Sequence, residues 1–195
     1  MKLYWFSSTN PQKVRLALEE LELPYELITV DLYKGMHRKG ESAERLPRRK
    51  VPVLEVDGAS IHESGAILAW LGRQHGLWPN TPAEEGEALS LLFLESSAFQ
   101  DPASAFFWDR VVLPRIGAQR DEERLAKARK KLNPLLDILE GRLESRNWLM
   151  GEFSVVDCAY AAWLPVLELD GHPRVASMLE RLRARPSWQA CQFEY

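Results

Sequence analysis

Every strand-forming run in this sequence lies before residue 63, and none recurs after Pro82. A chain divided in this way cannot close one sheet around its whole length, and packs a short α/β unit against a helical one. Leu3 to Phe6 is an apolar, aromatic run ended by Ser7, Ser8, Thr9, Asn10 and Pro11, which predicts a short buried strand entering a loop. From Gln12 the apolar positions Val14, Leu16 to Leu18, Leu21 and Leu23 recur at helical spacing until Pro24 stops them. Leu27 to Val30 is again β-rich, completing the outline of a βαβ unit with a parallel pair. Asp31 to Lys50 then loses periodicity and gathers Lys34, His37, Arg38, Lys39, Arg45, Arg48, Arg49 and Lys50, predicting a basic loop. Val51 to Val56, the Asp57-Gly58 pair and Ala59 to His62 predict a hairpin, because Asp-Gly supplies the positive φ values of a tight turn. A helix follows from Ser64 to about Gly72.

The stretch from Gln74 to Ala83, with Gly76, Pro79 and Pro82, is the best boundary in the chain. It divides an α/β unit, residues 1–75, from an all-helical one, residues 84–195, with 76–83 as linker. Beyond it Ala88 to Phe107 is long, apolar and aromatic. Leu125, Ala128, Leu132, Leu135, Leu136, Leu139 and Leu143 recur at helical spacing behind Asp121, Glu122 and Glu123, whose charges suit a first turn. Val155 to Leu164 and Val175 to Arg183 predict two further helices. Ser154 with Asp157 reads as a capping box, which makes Asp157 a folding residue.

Composition narrows the function. With 28 acidic against 25 basic residues the net charge is −3, so no overall positive field would recruit nucleic acid or an anionic membrane. No uncharged run approaches the ~18 apolar residues of a membrane span, and Leu3 to Phe6 is too short for a signal-peptide core. Cys158 and Cys191 form no CxxC pair, which points to a reducing, cytoplasmic setting. The histidines His37, His62, His75 and His172 have no zinc spacing, and no GxGxxG, P-loop or GxSxG occurs, so no metal is expected.

Four segments carry a resemblance. Ser8-Thr9-Asn10-Pro11-Gln12-Lys13-Val14-Arg15 resembles the S-x-N-x-x-K-V-R opening of serine-type bacterial glutathione transferases. Lys50-Val51-Pro52-Val53-Leu54 is similar to their K-V-P-x-L segment, and His62-Glu63-Ser64-Gly65-Ala66-Ile67 to their x-E-S-x-A-I helix start. Gly151-Glu152-Phe153-Ser154-Val155-Val156-Asp157 resembles the G-x-x-S-x-x-D box of the helical domain. The order and spacing of the four cover the whole chain. The resemblance implies an α/β thioredoxin-like N-terminal domain followed by an all-α helical bundle. It also implies a cytoplasmic, homodimeric detoxification enzyme that binds glutathione as co-substrate and conjugates it to, or uses it to reduce, a hydrophobic electrophile.

The residues allow a physical account of that expectation. A helix start leaves N–H groups unpaired and partly positive, so Ser64 suits a ligand carboxylate while Glu63 receives an ammonium; a γ-glutamyl head carries both. The structural alternative makes Ser64 an ordinary N-cap. The resemblance implies a cis Val51-Pro52 bond, with the turned backbone pairing with the ligand's cysteinyl backbone. A thiol of pKa ~8.5 is mostly protonated at neutral pH, and a donor aimed at sulfur stabilises the thiolate. Ser8 falls where the serine-type family places its hydroxyl, and Asn10 where some bacterial members place a second donor; Thr9 serves if the loop shifts by one residue. Ser and Asn that merely cap the next helix are the alternative. Lys39 and Lys50, with His37 as a weaker third, are the candidates for the ligand's glycine carboxylate. Asp101 is a candidate to reach the ammonium across a dimer interface, for which Ile67, Leu68, Trp70, Leu91, Leu92 and Phe93 offer apolar surface. Tyr4, inside the first strand, reads as core. No cysteine lies in the Ser8 loop, which counts against a mixed disulfide on the enzyme. Two alternatives remain: a zeta-like glutathione-dependent cis-trans isomerase, suggested by Ser7-Ser8, and a non-catalytic transferase-fold binding module.

Overall fold

The computed structural model describes residues 1–191, apart from the side chains of Glu41 and Ser42. The last four residues of the helical unit expected over 84–195 therefore lie outside the description. Strand β1 (Lys2–Trp5) pairs in parallel with β2 (Glu26–Thr29) and antiparallel with β3 (Val53–Val56). β4 (Ala59–His62) adds to β3, giving the order β2-β1-β3-β4. The hairpin turns where the sequence placed it, with Asp57 at φ 49° and Gly58 at φ 83°. Two successive positive φ values match the right-handed twist of the flanking strands, and glycine adopts the second without a Cβ penalty.

The strand period of two assigns each residue to a face. Leu3 lies opposite Leu54, and both enter the main core beneath the helices. Tyr4 lies opposite Val53, and both join Val30 and Leu46 in a smaller cluster on the other face. Tyr4 is core, as expected. The second cluster also explains a difference from the sequence reading. Asp31 to Lys50 is not wholly loop, because it contains a 3₁₀ turn, Met36–Arg38, and a five-residue helix α2 (Gly40–Glu44). Leu46 buries in this cluster and Ala43 is also buried, over too short a stretch to generate a periodic signal.

Helix α1 (Thr9–Glu20) is the hub of the molecule. It packs on α3 (Ser64–His75) and, across the sequence boundary, on α8 (Val155–Ala161) and α10 (Pro186–Cys191). Residues from both halves therefore form one continuous core, in which Leu16 and Ile67 share a cluster with Tyr160 and Leu182. Each fully buried aliphatic side chain contributes about 1.5–3 kcal/mol. Polar contacts cross the same seam. Arg185 donates to both carboxylate oxygens of Glu20 at 2.5 and 2.6 Å, and Arg15 donates to the carbonyls of Ala190 and Cys191, each at 3.0 Å.

Beyond α3 the chain is helical. A run from Pro82 to Ile116 comprises α4 (Pro82–Leu94), α5 (Gln100–Phe107) and α6 (Leu113–Ile116), separated by π-helical segments at Glu95–Phe99 and Trp108–Val112. α7 (Glu122–Arg142) follows, capped by Asp121, whose carboxylate accepts from the Arg124 N–H at 2.9 Å. α8 ends sooner than its hydrophobic run suggests, passing into a 3₁₀ turn at Leu164–Val166. α9 (Pro173–Arg183) matches expectation, and α10 was not read from the sequence. The capping box forms: Asp157 accepts from the N–H groups of Ser154 and Leu149 at 2.8 and 2.9 Å. Burial nonetheless pushes the Asp157 carboxyl up to about 6, against the pull of those hydrogen bonds.

The apolar residues expected to supply a dimer surface divide. Ile67, Leu68, Leu91 and Leu92 are committed to the chain's own core, whereas Phe93 is 68% exposed. Period 3.6 sends neighbouring positions to different sides of one helix, so a continuous apolar run does not make a continuous outer face.

Candidate functional site

Two cavities that share lining residues open beside the start of α1, the first of them between the α/β and helical halves. The first, of about 450 Å³, runs from Asn10, Val51 and Pro52 to the first turn of α3, and is closed by Leu89, Leu92 and Phe93 of α4. The second, of about 420 Å³, is bounded by Ser8, Thr9 and Leu32 and by His37, Arg38 and Arg49 of the basic segment. Asn10, Arg48, Lys50 and Val51 line both.

Each wall follows from local structure. The Val51-Pro52 peptide is cis, as the resemblance implied, and immediately precedes β3. Ser64 opens α3 at 8% exposure, and no side chain caps that helix; Ser64, Gly65 and Ala66 line the first cavity. The N–H groups of a first helical turn have no intrahelical acceptor, so this turn presents bare donors and partial positive charge to the cavity. Ser64 is thus not the N-cap of the structural alternative; that position is held by Glu63. Glu63 adopts φ 69° and ψ 118°, a region that an L residue enters at a cost. Its carboxylate, exposed on the cavity wall, accepts from Arg48 Nη1 at 2.5 Å.

The start of α1 is uncapped in the same way. Ser8 is its N-cap, in extended backbone, and its hydroxyl makes no capping hydrogen bond. The hydroxyl is not used up by helix capping, and the N–H donors of the first turn lie beside it. Thr9 is buried at the first position of α1. Asn10, at the second, is half-buried and tied inward: its Oδ1 accepts from Lys13 Nζ at 2.6 Å and from Gln100 Nε2 at 3.2 Å, and its Nδ2 donates to Gln100 Oε1 at 3.2 Å. Among the described residues lining the two cavities, Glu63 is the only acid, set against Arg38, Arg48, Arg49 and Lys50. The field of the site suits a ligand with more than one carboxylate and a single ammonium.

Ser8, Asn10, Lys50, Val51, Pro52, Glu63 and Ser64 are therefore brought together. Lys39 is not: it follows the 3₁₀ turn, exposed, and lines neither cavity, whereas His37 lines the second. Asp101 is exposed at the start of α5 and pairs with Lys131 at 3.7 Å, away from both cavities. Cys158 and Cys191 are buried; burial raises the Cys158 thiol well above its ordinary value and pushes the Cys191 thiol up to about 12, so neither is a nucleophile at neutral pH.

Several site residues escaped the sequence reading. Arg48, one of eight basic residues in its segment, has no local signature. Lys13 and Glu95 are 0% and 1% exposed and paired at 2.6 Å. The three-residue spacing of Asn10 and Lys13 on one helix was the available signal for the first of these; nothing local marks Glu95, 82 residues away.

The chain is similar to known proteins over most of its length. The family model described as glutathione S-transferase, N-terminal domain, matches residues 7–74, and that for the C-terminal domain matches residues 122–190. A disulfide-bond oxidoreductase, YfcG, of Escherichia coli is 31% identical, with 95% of this chain and 91% of that protein covered. Glutathione S-transferase F6 of Arabidopsis thaliana is 28% identical over 94% of each chain. Among solved structures, a glutathione transferase from Burkholderia graminis, with two glutathione molecules bound per subunit, superposes with a TM-score of 0.84 at 25% identity, covering 97% of this chain and 86% of that one.

Proposed function

The chain belongs to the cytosolic glutathione transferase superfamily, and from that premise we propose that it activates glutathione at the start of α1 for attack on a hydrophobic electrophile. It is a glutathione transferase. The observation that carries the site assignment is the convergence of two uncapped helix starts and the cis Val51-Pro52 peptide on cavities where Glu63 is the only acid among the described lining residues.

In this reading the first turn of α3 and Ser64 hold the γ-glutamyl carboxylate, and Glu63 receives the ammonium. The Val51 backbone pairs with the cysteinyl backbone, and Lys50 meets the glycine carboxylate. Glutathione supplies the nucleophilic sulfur. The Ser8 hydroxyl and the Asn10 amide donate to it, and the α1 dipole favours its charged form. Leu89, Leu92 and Phe93 form an apolar wall beside the bound tripeptide. A homodimer fits the exposed Phe93, and sedimentation giving 22.4 kDa at micromolar concentration would contradict it.

Ultraviolet titration of the bound thiolate tests the donors. Ser8→Ala and Asn10→Ala are each expected to raise the thiol pKa and slow conjugation about 10- to 100-fold, equivalent to about 1.4–2.7 kcal/mol, with little change in affinity. If both variants keep the parent pKa and rate, a backbone N–H or Thr9 activates the sulfur instead.

A second reading, reduction of a small disulfide by two glutathione molecules, is supported by the second basic cavity and its shared wall at Asn10, Val51 and Lys50. Two thiols would be oxidised to glutathione disulfide while the substrate disulfide takes up two electrons and two protons. A reduction rate that is second order in glutathione at low concentration is the expected sign. Neither the isomerase nor the non-catalytic module is favoured by the names of the relatives.

A further inference from the structure

We propose that the buried Lys13–Glu95 pair is a positioning device that fixes the Asn10 side-chain amide with its N–H face toward the bound thiol. The inference rests on the reading that the sulfur sits against the first turn of α1.

An ammonium donates three hydrogen bonds and accepts none, whereas an asparagine amide offers an oxygen at one end and two N–H groups at the other. Lys13 Nζ lies 2.6 Å from Asn10 Oδ1 and 2.6 Å from Glu95 Oε1. A turned amide would set N–H against ammonium, two donors face to face, so the oxygen is held inward. Gln100 reinforces the choice by donating from Nε2 to Oδ1 and accepting from Nδ2, each at 3.2 Å. That leaves the second hydrogen on Nδ2 for the cavities that Asn10 lines. An asparagine free to flip would present an oxygen, and so repel a thiolate, part of the time.

The carboxylate that faces Lys13 comes from the other half of the chain. Burial works to lower the Lys13 pKa, and the Glu95 carboxylate opposes it. Glu95 is held in turn by Trp163, whose Nε1 donates at 2.7 Å and whose ring centre lies 4.9 Å from Lys13 Nζ. The π-helical segment makes the arrangement possible. Residues five apart on an α-helix lie about 140° apart around the axis, but the i to i+5 bond from the Gln100 N–H to the Glu95 carbonyl brings the two side chains to one face. Both then reach Asn10 or its partner Lys13. The donor geometry at α1 is thus set by residues of the helical half, of which Gln100 also lines the first cavity.

The test is a cycle of variants read by the thiol pKa of bound glutathione and by kcat and KM separately. Lys13→Met with Glu95→Gln removes the donor without leaving a buried charge unpaired. It is expected to raise the thiol pKa by about one unit and lower kcat about tenfold, with KM for glutathione within about twofold of the parent. In the Asn10→Ala background the same pair of changes is expected to add nothing, because Lys13 acts only through that amide. Additive effects, or a parent-like thiol pKa in the double variant while Asn10→Ala raises it, would overturn the positioning role and leave Asn10 as donor. A silent Asn10→Ala would remove the donor and the positioning role together. Should the double variant not fold, Asn10→Asp serves, since Lys13 holds one carboxylate oxygen and the other faces the sulfur. The thiol pKa must then rise further than in Asn10→Ala, and an equal or smaller rise overturns the proposal.

Discussion

Glu63 occupies a backbone conformation that costs an L residue free energy, while its carboxylate is the one acid among the described residues on the cavity walls. Strain retained at a position of use is expected to be relieved by glycine at the expense of that use. Glu63→Gly should therefore leave stability within about 1 kcal/mol of the parent or above it, because the exposed Arg48 contact it loses is worth little. Glutathione affinity should fall at least about fivefold, the equivalent of ~1 kcal/mol for a lost charged contact. Thermal melts paired with calorimetric titration check both halves, and unaltered affinity would remove Glu63 from the ligand. Single residues were legible where a motif surrounds them. Ser8, Val51, Pro52, Glu63 and Ser64 all lie in quoted segments and all line the cavities. Lys39 was inferred from charge alone, and a side chain in a basic segment has no period that fixes its direction. For the same reason Arg48, named only among the basic residues of its segment, is not singled out.

The elements divide by how local their causes are. The hairpin was readable because Asp57 and Gly58 dictate its turn by themselves, and the capping box because two residues three positions apart, Ser154 and Asp157, suffice to make one. The π-helical segment at Glu95–Phe99 gives no such sign: its extra residue per turn is stabilised by contacts from α1 and from Trp163, which no sequence window contains. Close packing between elements is equally non-local. Gly72 lets α3 approach α8, since a Cβ there would stand 3.1 Å from the Leu77 carbonyl oxygen and from both γ-carbons of Val155. The Val155 N–H donates to that same carbonyl at 3.2 Å, so neither neighbour withdraws freely. Gly72→Val is expected to cost about 2–3 kcal/mol by overpacking, measured by denaturant unfolding. A variant as stable as the parent would show that α3 and α8 slide apart without penalty.

At the scale of the whole molecule, the sequence divides at 76–83 but the core does not. α1 buries its sides against elements from both halves, and the Lys13–Glu95 and Arg185–Glu20 pairs cross the same seam. We propose the division as one of topology, with the donors at the start of α1 supported from the helical half. The two-part architecture was legible because strand-forming runs stop before residue 63 and do not recur; the shared core was not, because burial partners far apart in sequence leave no joint pattern. The central claim is that glutathione sits against the start of α1 with its γ-glutamyl end on α3. A crystal structure of the protein with glutathione tests this most directly. The account predicts the sulfur within hydrogen-bond distance of Ser8 Oγ or Asn10 Nδ2 and the γ-glutamyl carboxylate on the first-turn N–H groups of α3. A tripeptide bound elsewhere, or bound here with its sulfur turned away from α1, would contradict it.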